Sequence, residues 1–127
     1  MRLVGARLTE VEPGRCVVEL PVLDELTQQH GFVHGGVVGM IADSAGGYAA
    51  FTLMPADASV LTVEYKINML APAAGDLLVA IGEVLKPGRT LSIVRADVFA
   101  VQGDRRTRVA AMQQTLMVMH GVSDEKI

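Results

Sequence analysis

Residues 30–51 read His-Gly-Phe-Val-His-Gly-Gly-Val-Val-Gly-Met-Ile-Ala-Asp-Ser-Ala-Gly-Gly-Tyr-Ala-Ala-Phe, and Asp43 is their one formal charge. From Gly36 onward the segment has the periodicity of a long helix, 36–53, with Pro55 helping to end it. It is apolar on nearly every face, and such a helix belongs inside a protein. Whatever the rest of the chain forms must therefore wrap around it. The nearest charges to Asp43 are Glu25 before and Asp57 after. A lone buried carboxylate is expensive unless hydrogen-bonded, partnered or protonated, so Asp43 is a candidate for chemistry.

Helical neighbours lie three and four residues away, which sets Gly39, Met40, Gly46 and Gly47 beside Asp43, with Gly36 further back. Each interior glycine costs about 0.5–1 kcal/mol relative to alanine. The stripe is expected to leave room beside the carboxylate for a substrate or another backbone; tight helix-on-sheet packing with Asp43 capped by a neighbour is the alternative. At the helix start stand His34-Gly35-Gly36. Unpaired amides and the helix dipole favour negative charge there, which suits the carbonyl oxygen of an acyl transfer as it gains charge. Asp43 lies seven residues beyond Gly36, about 10 Å along the axis. One reacting carbon cannot meet both unaided. Either the substrate bridges the gap or Asp43 of one subunit faces the His-Gly-Gly of another.

Half of the 127 residues are hydrophobic and mean hydropathy is +0.37, more apolar surface than a lone domain of this size can hide. A homo-oligomer is expected. Asp43 interrupts the best apolar run, which argues against a membrane span. Met1 to Thr9 hold no signal-peptide core. Net charge is −3 with no basic block, so nucleic acid is not an expected partner. Arg105, Arg106 and Arg108 beside Asp104 read as a solvated hairpin turn. Cys16 is the sole cysteine and falls in an apparent strand, so a buried, inert thiol and a cytoplasmic location are expected. His30 and His34 lie four apart in a loop without a third ligand, and no metal is expected.

Strands are expected over 3–12 and 15–21, around the turn Glu12-Pro13-Gly14-Arg15. A polar loop follows over 22–33, with one short helical turn at 23–28. After the helix, 61–68 alternates, with Leu61, Val63, Tyr65 and Ile67 on one side and Thr62, Glu64, Lys66 and Asn68 on the other. Further strands are expected at 77–86, 91–102 and 107–118, with a frayed tail over 119–127, polar from about 120. The order is two strands, a long helix, then four strands in a meander. An antiparallel sheet around one buried helix is the economical packing, an α+β arrangement in a single domain over 1–127. Apolar residues on both faces of the last two strands, including Met112, Leu116, Met117 and Val118, leave sheet surface for a second layer.

Gly31-x-x-His34-Gly35-Gly36, then six residues, then Asp43-Ser44-Ala45, with Thr62 downstream and Pro-Gly-Arg-Thr-Leu at 87–91, resembles the hotdog fold. Within it, the pattern is similar to the small acyl-CoA thioesterases of the phenylacetate-pathway type, over about residues 3–118. The resemblance implies hydrolysis of an acyl-CoA thioester, with coenzyme A as part of the substrate and no separate cofactor. It makes Asp43 the general base or nucleophile and the Gly36 N–H the group that polarises the carbonyl, with His34 in support. It places Thr62 where a hydroxyl positions water, and the site between two subunits of a dimer or tetramer. Gly35, Met40, Ser44 and Gly47 would touch substrate. Lys86, Gly88, Arg89 and Thr90 would lie near the nucleotide and phosphates of coenzyme A, where a mobile cation is suitable. Gln28 stands where many relatives carry asparagine, and aspartate at 43 stands where some carry glutamate.

Two other readings stay open at this point: a hotdog hydratase or dehydratase, and a non-catalytic acyl-CoA binding module. A serine-esterase reading fails because Ala42-Asp43-Ser44-Ala45-Gly46 lacks the first glycine of Gly-x-Ser-x-Gly. Met40, Tyr48 and Phe51 suit an acyl pocket and a core equally, so the acyl group is left undetermined.

Overall fold

The computed structural model describes residues 1–122. Its elements are β1 (Arg7–Glu12), β2 (Arg15–Pro21), α1 (Gly35–Phe51), β3 (Ala58–Met69), β4 (Leu77–Lys86), β5 (Leu91–Gln102) and β6 (Arg105–His120). Short 3₁₀ turns occupy Arg2–Val4 and Asp24–Leu26. The six strands form one antiparallel sheet in the order β1-β2-β4-β5-β6-β3, and α1 packs into its concave face. This is the hotdog fold.

The inward rows explain why α1 is held so closely. Val18 and Leu20 of β2, Leu78 and Ala80 of β4, and Ala96 and Val98 of β5 are buried against Ile41, Ala42 and Ala45 of the helix, while Val94 of β5 clusters with Ala50 and Leu116. Alternate small side chains let the backbones approach. Gly82 of β4 marks the tightest point, because a Cβ there would stand 2.4 Å from the Ala45 carbonyl oxygen.

Four expectations are corrected. Residues 2–4 form a 3₁₀ turn rather than the start of a strand, because Gly5 takes a φ of 81° and turns the chain before β1. The last four strands are not a simple meander: β4, β5 and β6 are, but β3 pairs with β6 on the far edge. The connection at 70–76 makes that crossing and is tied down as it goes, by Leu70 N–H to Val109 O at 2.8 Å and Asp76 N–H to Val101 O at 2.9 Å. β6 extends through Met119 and His120, since Ala58 and Ser59 of β3 pair with them. Of the expected tail, 123–127 lie outside the described residues.

The fourth correction bears on the site. Alternation in β3 is broken by a bulge at Val63, where Thr62 pairs with Leu116 and Glu64 with Thr115. One extra residue reverses the facing of everything beyond it. Thr62 therefore shares the inner face with Tyr65 and Ile67, while Leu61 faces outward and is half exposed. On the outer face Asp97 pairs with Arg95 at 3.3 Å and Arg108 at 3.8 Å, and the Arg106 guanidinium lies 4.1 Å from the Phe99 ring centroid. Arg106 and Arg108, two of the three arginines after the 103–104 turn, thus have partners, although all three remain exposed.

Candidate active site

Asp43 sits mid-helix and half-buried, with its carboxylate aimed at the β3–β6 edge of the sheet. Two donors meet it there. Thr62 Oγ1 of β3 and Gln114 Nε2 of β6 each donate to the same oxygen, Oδ1, at 2.7 Å. No cation pairs with Asp43 among the described residues. The carboxylate is therefore carried by hydrogen bonds to a charged acceptor, which contribute about 1.5–3 kcal/mol each. Both act on one oxygen, which leaves Oδ2 without a protein donor among the described residues. A cleft of about 330 Å³ opens at this point, lined by Asp43, Ser44, Gly47, Tyr48, Phe51, Val60 and Thr62.

The glycine stripe does something other than leave substrate room along its length. A Cβ on Gly46 would fall 1.7 Å from Gln114 Oε1, and one on Gly39 would fall 3.2 Å from the Tyr65 hydroxyl. Those two glycines admit side chains of this same chain. Only Gly47 of the residues flanking Asp43 on the stripe faces open space, into the cleft. Ser44 joins it in the lining, whereas Met40 packs against the main core.

At the entrance of α1, His34 is the N-cap, and its Nδ1 accepts the Gly36 N–H at 2.9 Å. Nδ1 is thus the acceptor nitrogen, which assigns the proton to Nε2. The His34 carbonyl takes the amides of Val37 and Val38 at 2.9 and 3.2 Å. Of the first four helical amides, Gly35 N–H is then the one without a protein acceptor among the described residues. Gln28 turns back on its own loop, its Oε1 accepting from the His30 N–H. Gln28 and Gly35 line a second cleft of about 410 Å³ with Phe32, Met69 and Leu70. The two clefts share no lining residue.

The β4–β5 turn holds Lys86, Gly88, Arg89 and Thr90 apart from both linings. Gly88 N–H donates to Ser92 Oγ at 3.2 Å, Thr90 O accepts from Val118 N–H at 2.8 Å, and the Lys86 and Arg89 side chains are exposed. Cys16 is fully buried, and burial pushes its thiol above the usual range. No helix of the described residues is long and apolar enough to cross a membrane.

Gln114 is the residue that sequence reasoning missed. A signal existed: in the inward row Ala110, Met112, Gln114, Leu116, Val118 it is the lone polar side chain. Reading β6 as apolar on both faces hid it.

A hotdog sheet around a helix that carries a hydrogen-bonded acid, with a histidine-capped glycine entrance, defines a class of acyl-transfer protein. The chain belongs to the thioesterase superfamily, whose family model matches residues 30–107, and it is a thioester hydrolase by class. It is similar to a solved thioesterase family protein from Silicibacter pomeroyi, 46% identical, covering 95% of this chain and 89% of that one, with a TM-score of 0.94. It is 30% identical to a 1,4-dihydroxy-2-naphthoyl-CoA hydrolase of Listeria monocytogenes over 71% of this chain and 73% of the relative. The PaaI protein from the phenylacetic acid degradation operon of E. coli shares the fold at 23% identity, covering 95% of this chain and 84% of that one, with a TM-score of 0.83.

Proposed function

We propose that the chain hydrolyses an acyl-CoA thioester to the free carboxylic acid and coenzyme A. One observation carries this reading. Among the described residues, the carboxylate of Asp43 is anchored through Oδ1 alone, in a cleft, with no cation to neutralise it. Oδ2 is then free to act. As general base it takes a proton from water while the water oxygen attacks the thioester carbon; as nucleophile it attacks that carbon itself, and water later releases the acid. In both routes the carbon–sulfur bond breaks and the thiol leaves with a proton. The carbonyl oxygen docks at the α1 entrance, replacing His34 Nδ1 as acceptor of the Gly36 N–H, with His34 Nε2–H as a further donor. Gln28 supports that loop.

Within one protomer the two halves are seven residues apart on one rod and open into separate clefts. The carboxylate of one subunit meeting the entrance of another removes the difficulty. Support comes from the β3 edge, where Leu61, Val63 and Tyr65 are 51%, 55% and 46% exposed, with Met69 and Leu70 following. An apolar, unpaired edge strand in an isolated protomer is a pairing surface. We assign exposed Lys86 and Arg89, with Gly88 and Thr90, to the nucleotide and phosphates of coenzyme A, because a mobile cation suits those groups. A single cysteine kept as a buried thiol fits a cytoplasmic setting.

The test is a panel of short aliphatic, long aliphatic and aryl acyl-CoA esters scored by thiol release. Asp43→Asn is expected to lower kcat by at least ~10²-fold and leave KM largely unchanged, in line with general-base contributions. Unchanged turnover in that variant removes Asp43 from the mechanism.

A further inference from the structure

We infer that Gln114 is a positioning residue for hydrolysis, locking the Asp43 carboxylate so that Oδ2 and not Oδ1 meets the reacting group. The inference rests on the hydrolase reading above and lies outside the matched family region, which ends at residue 107.

The case begins with cost. Gln114 is 1% exposed in a row of apolar residues, and its Oε1 is buried without a hydrogen-bond partner among the described residues. Burying an amide with half its polar atoms unsatisfied works against folding, and leucine or methionine would fill the row at lower cost. α1 gives up helix propensity as well, since Gly46 is what lets the amide fit. The return is one contact, Nε2–H to Asp43 Oδ1 at 2.7 Å.

Chemistry fixes the direction of that amide. The reversed orientation would set Oε1 against a carboxylate oxygen, two acceptors with no proton between them. The orphaned Oε1 is therefore the consequence of holding the acid. Thr62 alone could swing the carboxylate about one bond, and it stands on the edge strand. Gln114 stands on β6, between β5 and β3, and supplies the second, rigid anchor. Two donors converging on Oδ1 from neighbouring strands stop the carboxylate from exchanging its oxygens. A nucleophile or base that presents the same atom at each turnover needs this restraint.

The experiment compares Gln114→Met, Asp43→Asn and the double variant by steady-state hydrolysis of the best ester from the panel, with unfolding by urea alongside. Q114M keeps the side-chain length, removes the amide and is expected to fold at least as stably as the parent. Its kcat is expected to fall about 10- to 10²-fold, the worth of a hydrogen bond to a charged group, while KM holds. In the Asp43→Asn background the same change is expected to cost nothing further, because its effect passes through that carboxylate. A packing role gives the opposite pattern: equal losses in both backgrounds that follow the loss of stability. Wild-type kcat in Q114M, or losses that multiply in the double variant, overturns the inference. Should Q114M not fold, Gln114→Leu carries the same comparison. Asp43→Asn with full activity sinks the hydrolase reading itself, whereas an inactive Asp43→Asn beside a normal Q114M sinks only the role of Gln114.

Discussion

Two adjacent glycines of α1 are expected to answer the same substitution in opposite ways. Gly46→Ala places a methyl 1.7 Å from Gln114 Oε1, 2.8 Å from its Cδ and 3.2 Å from Val94 Cγ1. Contact distance for such atoms is about 3.5 Å, so the amide must move by more than an ångström and release Asp43. Overpacking costs about 1–3 kcal/mol and the lost charged hydrogen bond about 1.5–3. The alanine recovers about 0.5–1 kcal/mol of helix propensity. A net destabilisation of about 1.5–5.5 kcal/mol follows. Gly47→Ala meets nothing within 4 Å, so its helix gain of about 0.5–1 kcal/mol is kept while the methyl enters the cleft. Urea unfolding followed by circular dichroism, at one fixed protomer concentration, measures both. The decisive arm repeats Gly46→Ala in a Gln114→Ala background, where its penalty is expected to drop below about 1 kcal/mol through coupling of touching residues. A Gly46→Ala protein as stable as the parent, or one equally destabilised in both backgrounds, refutes the claim that the glycine exists for the amide.

Light scattering is expected to give a dimer or, more readily, a tetramer of the 13.5 kDa chain, and a monomeric mass contradicts both the exposed β3 edge and the shared site. The Cys16 thiol is expected to resist alkylation in the native protein and to react on unfolding, as mass spectrometry reads directly. Its raised value means the folded state keeps a proton that the unfolded chain loses. The linked stability is thus fully present below the ordinary thiol range and lost as pH climbs from there through the raised value. Stability rising over that window is the refuting outcome.

Much of the fold could be read in advance because its elements are long and their punctuation is local. β2, β4 and β5 have the bounds that their flanking Pro and Gly turns implied, and α1 differs by one residue at its start and two at its end. The misses are non-local. The Val63 bulge is visible only against β6, since 61–68 alternates without a flaw in isolation. The crossing of β3 to the far edge, where it pairs with β6, is not encoded by adjacency in the chain. At the site, the family resemblance implied that Thr62 positions water near Asp43, and the structure has its hydroxyl donating to the acid itself. The partner 71 residues away could not be inferred from helix spacing at all.

These misses share a cause that bears on how the acid survives inside. An unpaired carboxylate in a greasy helix needs polar support, and support costs volume. α1 supplies that volume by omission, at Gly46 for Gln114. The bulge turns Thr62 inward at the height where the first anchor is required. Glycine stripe, bulge and lone inward glutamine are then one arrangement seen from three elements, each unfavourable by itself. Only Gly47 is left over, and the open space beside it belongs to the cleft that Asp43 lines. Changing any one of the three should therefore leave the fold standing and disturb the same atom.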